Sequence, residues 1–225
     1  MQAERLGPEC ARRWNKYLAA ESAGVHSERA EALSAFISLA NEQSPASLTQ
    51  FVTAWCIANL DGYSFSAHRH GGPFRLPLLR EIIFPFLLAG RSAGADDHSR
   101  WLAQLWHLLA RETKCRARLS EVGGPVALLE EALAHDSTDE RARRLLVAAL
   151  VDSINFSLHE LPALLASEVE LRMDLDRLRA LGPVGYDAEN FWTYLTAARE
   201  VVEGDRSEGA IDAYFDALKD LGASG

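Results

Sequence analysis

Apolar residues recur at three- and four-residue spacing along almost the whole chain, and this periodicity limits the fold more than any other feature. In residues 2–22, for example, Leu6, Cys10, Trp14 and Tyr17 fall on one helical face. No stretch alternates polar and apolar residues for the length of a strand, and Val, Ile and Thr are sparse. The sequence therefore predicts an all-α fold.

Proline and glycine residues divide the periodic pattern into nine or ten helices. The predicted helices cover approximately residues 2–22, 27–41, 45–60, 76–88, 97–118, 125–133, 139–158, 163–181, 187–203 and 207–221. Most of the turns between them are short, which favours antiparallel neighbours. We therefore expect a compact bundle or a repeat-like helical solenoid.

The length of the chain suits one helical domain over residues 1–225. A chain of 225 residues buries about 70–75% of its unfolded surface and needs no disulfides to fold. The break at Gly123-Gly124-Pro125 is where the domain could divide into sub-halves 1–121 and 122–225.

Residues 76–88 are apolar on almost every side, which is typical of a central helix. Pro85 is expected to kink this helix, because proline lacks the backbone N–H and clashes with the preceding turn. Trp55, Trp101 and Trp106 are predicted core residues. Homodimerisation through residues 76–89 is a further hypothesis that this apolar segment supports.

The net charge of −9 argues against a general nucleic-acid surface and against docking on anionic lipid. It suits solubility, or a basic protein partner. The four cations of the one basic cluster have no interleaved aromatic residues, and we interpret them as a solvated helix end. They are Arg111, Lys114, Arg116 and Arg118.

Cys10, Cys56 and Cys115 are widely spaced and form no CxxC pair, so we interpret them as reduced, buried thiols of a cytoplasmic protein. The N-terminal residues lack the apolar core of a signal peptide. The longest apolar run, residues 82–89, is far shorter than the roughly 20 residues that span a bilayer.

Residues 191–224 resemble a tetratricopeptide repeat, a helix–turn–helix unit of this length. The matching positions are aromatic or small, namely Tyr194, Ala197, Ala198, Val201, Ala210, Tyr214 and Ala217. Ala197-Ala198 replaces the usual leucine–glycine pair, and Gly222 replaces the closing proline. Residues 129–139 resemble the junction between two such repeats more loosely, with Ser137 at the usual proline position.

This resemblance implies a concave surface that binds another protein. Trp192, Tyr194 and Tyr214 are the residues that we expect to line it. A protein-interaction module, either an adaptor or an immunity-type protein that neutralises a basic toxin, is therefore the first functional hypothesis.

Residues 61–75 form the least helical stretch and carry the candidate ligand-binding residues. These residues are Asp61, Tyr63, His68, Arg69, His70 and Arg75. Two imidazoles two residues apart can both reach one metal ion, with His98 or His107 as further ligands. No spacing here matches a known ligand arrangement, and an exposed polar loop is the simpler interpretation.

No phosphate loop, nucleophile elbow or CxxC pair occurs, so the sequence predicts no catalytic residue, metal or cofactor. A small-molecule-binding or metal-binding enzyme that uses the 61–75 loop is the second functional hypothesis, since active sites also assemble from distant residues.

Overall fold

The computed structural model of this chain describes residues 2–61, 75–159 and 167–182. These residues form helices joined by turns, and none of them belongs to a strand. The prediction of an all-α fold is confirmed.

A short 3₁₀-helix, Gln2–Leu6, opens the chain and ten α-helical segments follow among the described residues. They are α1 (Pro8–Ser22), α2 (His26–Asn41), α3 (Pro45–Asn59), α4 (Leu76–Leu78), α5 (Phe84–Ser92), α6 (His98–Leu109), α7 (Thr113–Ser120), α8 (Pro125–His135), α9 (Glu140–His159) and α10 (Glu168–Ala180). One π-helical turn, Leu79–Ile83, joins α4 directly to α5.

Side-chain caps and prolines set several of the helix starts. Ser44 accepts a hydrogen bond from the backbone N–H of Ser47 at 3.2 Å, and Pro45 occupies the first helical position, where no N–H is needed. Ser167 and Glu170 form a reciprocal capping box at the start of α10. Ser44 and Pro45 together define the start of α3.

A π-helical turn adapts the central helix to Pro85. The backbone N–H of Phe84 donates to the carbonyl of Leu79, five residues earlier, and Pro85 follows within the first turn of α5. This wider π-helical turn directly precedes Pro85, which has no backbone N–H to donate to a hydrogen bond. The apolar side chains around it are buried, as expected for a central helix; they are Leu78, Leu79, Ile82, Ile83, Phe84, Leu87 and Leu88.

The single helix predicted over residues 97–118 is wrong. The structure contains two helices there, α6 and α7, separated at residues 110–112. No glycine or proline marks this break, so its sequence signal is weak. Trp106 is only half-buried, unlike Trp55 and Trp101, which are fully buried.

The chain divides into two units, residues 1–146 and residues 147–225, with the boundary inside α9. In the first unit α1 packs on α2, and α6 packs on both α5 and α8. Aromatic rings reinforce the first of these contacts, since the ring of Phe36 lies 5.0 Å from that of Trp14 and 5.8 Å from that of Phe51.

The described part of the second unit contains the C-terminal portion of α9 and all of α10. Its buried side chains are Leu150, Ile154, Leu171, Leu175 and Leu178. Ser153 donates a hydrogen bond to Asp174 across the two helices at 3.3 Å. None of the helices in the described ranges is long and apolar enough to cross a membrane.

Candidate functional site

Asp61, one of the candidate ligand-binding residues, lies just beyond the end of α3 and binds groups from α6 and α9. Its Oδ1 accepts hydrogen bonds from Nη1 of Arg100 at 2.6 Å and from Nε1 of Trp101 at 2.9 Å. Its Oδ2 lies 3.2 Å from Nη1 of Arg141. Both carboxylate oxygens of Asp61 are therefore engaged within the protein.

Arg100 is the centre of this arrangement, with only 4% of its side chain exposed. Besides Asp61, its guanidinium pairs closely with Asp97, and its Nε lies 2.9 Å from Oδ2 of Asp139. Burial lowers the pKa of Arg100, but the hydrogen bonds with Asp61 and Asp97 outweigh that effect and raise it above its ordinary value. Arg100 is therefore a permanently charged, buried cation.

Local backbone geometry brings two of the carboxylates to Arg100. Asp97 has a left-handed backbone with φ of 65°, which Asp tolerates better than most residues, and its side chain turns to Arg100. Asp139 caps α9, since its Oδ1 accepts from the backbone N–H groups of Arg141 and Ala142 at 2.9 Å each. Asp139 therefore contacts both the N-terminus of α9 and the guanidinium of Arg100.

We call the group of Asp61, Asp97, Arg100, Asp139 and Arg141 the ion cluster. Its members come from the end of α3, the start of α6 and the start of α9. A buried guanidinium is tolerated only where carboxylates and hydrogen bonds replace its lost hydration. The ion cluster meets that condition. Its geometry shows that these charged groups hold three helix ends together.

Arg75, a second candidate ligand-binding residue, binds α1. Its Nε donates to the hydroxyl of Tyr17 at 2.7 Å, and its guanidinium pairs closely with Glu21. The hydroxyl of Tyr17 in turn donates to Glu21 in a short hydrogen bond. Asp61 and Arg75 thus contact different helices, and the structure does not bring these two side chains to a common ligand.

The other candidate residues lie outside the described part of the chain. They are Tyr63, His68, Arg69 and His70 of the ligand-binding set, and Trp192, Tyr194 and Tyr214 of the partner-binding set. The hypotheses about them stay predictions.

His98, suggested as a further metal ligand, is buried at the contact between α5 and α6. Its ring lies 5.6 Å from those of Phe86 and Trp101. Nδ1 lies 2.8 Å from the carbonyl oxygen of Asp96, which only accepts, so Nδ1 carries the proton. Within the described ranges, no three His, Cys, Asp or Glu side chains form a group that could hold a metal ion.

A second polar contact joins α5, α6 and α8. Arg91 binds both carboxylate oxygens of Glu131, and its Nη2 lies 2.6 Å from Oε2. Ser99 donates to Oε1 of Glu131 at 2.8 Å. Burial raises the pKa of Glu131, but the hydrogen bonds from Arg91 and Ser99 outweigh it, so this pKa is lowered below its usual value.

The three cysteines are unpaired and buried, as predicted. Burial raises the pKa of each thiol, most strongly for Cys56. A buried thiol with a raised pKa has little thiolate at neutral pH, so the geometry favours a packing role for all three.

Sequence analysis did not select Arg100 and Glu131, which organise the two polar contacts. The available signal was an arginine directly beside the apolar positions 101, 102 and 105 of α6, where a cation is costly unless it is paired. Comparisons with protein-family models, with curated proteins and with solved structures found no match. The tetratricopeptide resemblance therefore stays a prediction.

Proposed function

We propose that this chain is a protein-interaction module, of the adaptor or immunity type, that binds a basic partner protein through residues 147–225. The observation that carries the proposal is the division of charge between the two units. Residues 147–225 contain 15 acidic and 6 basic side chains, whereas residues 1–146 contain 17 of each. The whole net charge of −9 therefore belongs to the second unit.

Exposed apolar side chains in the same unit support this proposal. Val169 and Phe156 are 65% and 62% exposed, and Met173 is 51% exposed. Val169 and Met173 lie four residues apart, on one side of α10, whereas Leu171 and Leu175 of the same helix are buried. Glu170, Arg172 and Asp176 are exposed beside them, so the exposed side of α10 combines apolar and charged groups.

Acidic charge and exposed apolar groups have complementary roles in binding. Charge steers a partner of opposite sign and excludes partners of the same sign, whereas apolar contacts at the centre of an interface supply affinity. A basic protein with an apolar patch is the partner that matches both features.

Site-specific photo-crosslinking in the native host tests the proposal. We would place a photoreactive amino acid at Val169 or at Met173, and at Ile57 as the matched control. Ile57 is an apolar residue of the first unit with 53% exposure, close to that of Met173. We expect discrete adducts with one basic protein from positions 169 and 173 and none with that protein from position 57.

Absence of adducts at both α10 positions would refute the proposed surface, and so would identical adducts at position 57. Adducts with an acidic protein would refute the proposed chemistry of the partner. The purified complex should weaken with added salt, because screening reduces the attraction between opposite charges.

A cytoplasmic location accompanies this proposal. Its support is the set of three buried cysteines, none of them in a disulfide. Unpaired cysteines are typical of proteins in reducing compartments. Fluorescent tagging in the native host tests this location. A signal at the membrane or outside the cell would contradict it.

A further inference from the structure

The residues around α7 contain a concentration of cations that have no carboxylate partners in the part of the chain that the structure describes. Arg111, Lys114, Arg116 and Arg118 are all exposed. No carboxylate of the described residues lies within ion-pair distance of any of them, whereas Glu112, between them in sequence, pairs with Arg80. We call Arg111, Lys114 and Arg118 the α7 patch. Arg116 lies about 200° around the helix from Lys114 and is not part of it.

Several other surface arginines of the described residues have nearby acids. Arg13 pairs with Glu9 four residues away, and Arg177 and Arg179 pair with Asp174 and Asp176 three residues away. In α7, by contrast, Lys114 and Arg118 lie one turn apart with like charges. Such a pair destabilises a helix by about 0.2–0.5 kcal/mol.

The orientation of α7 keeps the patch available. Cys115 and Leu119 are buried and fix the inner face of the helix. The guanidinium of Arg118 lies 5.7 Å from the centre of the Phe84 ring, which holds that cation in place at the edge of the helix. Arg118 is thus held on the folded surface, one turn from Lys114 on the same side of α7.

We propose that the α7 patch binds an acidic segment of another protein. Charge complementarity supports this occupant, since a row of Asp or Glu side chains would supply the carboxylates that the patch lacks. Nucleic acid fits less well. Bases of single-stranded nucleic acid stack on aromatic side chains, and α7 contains none.

This inference goes beyond the proposed function, because the patch lies in residues 1–146 and has the opposite charge to residues 147–225. With both surfaces, one chain would join an acidic segment to a basic protein. The two proposals fail separately, since one is tested at α10 in cells and the other at α7 with purified protein.

The experiment measures fluorescence anisotropy of labelled poly-glutamate with the purified full-length chain at low ionic strength. One variant carries Arg111→Gln, Lys114→Gln and Arg118→Gln. The matched control carries Arg5→Gln, Lys16→Gln and Arg29→Gln. It removes the same charge at three other sites where no carboxylate of the described residues forms an ion pair. Thermal melts verify that both variants fold.

We expect the α7 variant to bind poly-glutamate about tenfold more weakly than the native chain, and the control to change binding by less than about twofold. Equal losses in the two variants would overturn the proposal, because bulk charge alone would explain them. Absence of binding by the native chain would also overturn it. A single Lys114→Glu variant provides a second test, and we expect it too to bind poly-glutamate more weakly than the native chain.

Two comparison ligands distinguish other occupants. A single-stranded oligonucleotide that binds more tightly than poly-glutamate, and depends on the same three cations, would replace the proposal with a nucleic-acid site. Anionic vesicles that bind more tightly in the same way would replace it with a membrane-contact site. If both ligands bind more weakly than poly-glutamate, the result supports an acidic polypeptide as the occupant of the α7 patch.

Discussion

The imidazole of His98 packs against Gly90 so closely that a Cβ at position 90 would lie 2.3 Å from Cδ2 and 2.4 Å from Nε2. Gly90 belongs to α5 and His98 is the first residue of α6. The missing side chain of the glycine therefore sets how closely these two helices approach each other at this point.

Gly90→Ala should destabilise the protein. Replacing glycine by alanine within a helix normally stabilises it by about 0.5–1 kcal/mol, because glycine loses more backbone freedom on folding. Here the steric overlap should reverse the sign and give a net loss of roughly 1–3 kcal/mol in the free energy of unfolding, measured by urea titration. In a His98→Ala background the same substitution should become neutral or stabilising. An equal loss in both backgrounds would show that this contact is not the cause.

Arg100→Met should be among the most destabilising single changes in the first unit. The substitution preserves much of the side-chain volume but removes the buried cation from the part-buried carboxylates of Asp61 and Asp139. Asp61 then keeps only its contacts with Trp101 and Arg141. Removing one partner of a buried ion pair costs about 3–5 kcal/mol. Arg141→Met is the control, because Arg141 is 42% exposed and its pairing with Asp61 should contribute no more than about 1 kcal/mol. A loss at position 100 that is no larger than at position 141 would contradict the buried role of Arg100.

Glu131→Gln should change how stability depends on pH. The pKa of Glu131 lies below its ordinary value of 4.5 in the folded chain, so its ionised form stabilises the fold. That contribution is fully present above the unfolded pKa and is lost as pH falls through the lower, folded pKa. We expect the variant to lose about 1–2 kcal/mol near neutral pH, and the difference from the native chain to shrink below pH 4.5.

Glu140→Gln is the matched control for this titration. Glu140 is 73% exposed and lies 3.6 Å from Arg143, so its removal should leave the acid dependence almost unchanged. Chemical unfolding at a series of pH values measures both variants. A gap between the native chain and Glu131→Gln that stays constant down to acidic pH would disprove the assignment.

None of the three cysteines should react with a thiol reagent in the native protein. Cys10, Cys56 and Cys115 are buried, and their raised pKa values keep them as thiols. Ellman's reagent should therefore detect three thiols only after denaturation. Ala19→Cys, at an exposed position of α1, supplies a positive control with one fast-reacting thiol. Fast reaction of an original cysteine would show that its helix opens readily.

Sequence patterns predicted those helix boundaries that local chemistry determines. Pro45 and Pro125 mark helix starts because a missing N–H has no cost at the first helical position. The break at residues 110–112, between α6 and α7, was missed because no comparable residue marks it. The π-turn before Pro85 was expected only as a kink, since its hydrogen-bond pattern depends on packing around the whole helix.

The polar contacts were less accessible to sequence reasoning. Asp61 was selected as a ligand-binding residue, but its partner Arg100 lies 39 positions further along the chain. Pairing at that separation depends on how α3, α6 and α9 pack, and no local periodicity records it. The capping role of Asp139 depends on local chemistry at the start of α9, whereas its contact with Arg100 depends on how the helices pack.

Helix ends usually open first when a native protein fluctuates, because their last backbone groups have few partners. The ion cluster links the end of α3 to the starts of α6 and α9, so these ends should not open independently. Opening any one of the three would leave Arg100 with a missing carboxylate in a buried position. These three ends should therefore exchange their amide hydrogens together, as one cooperative unit, although they are far apart in the sequence.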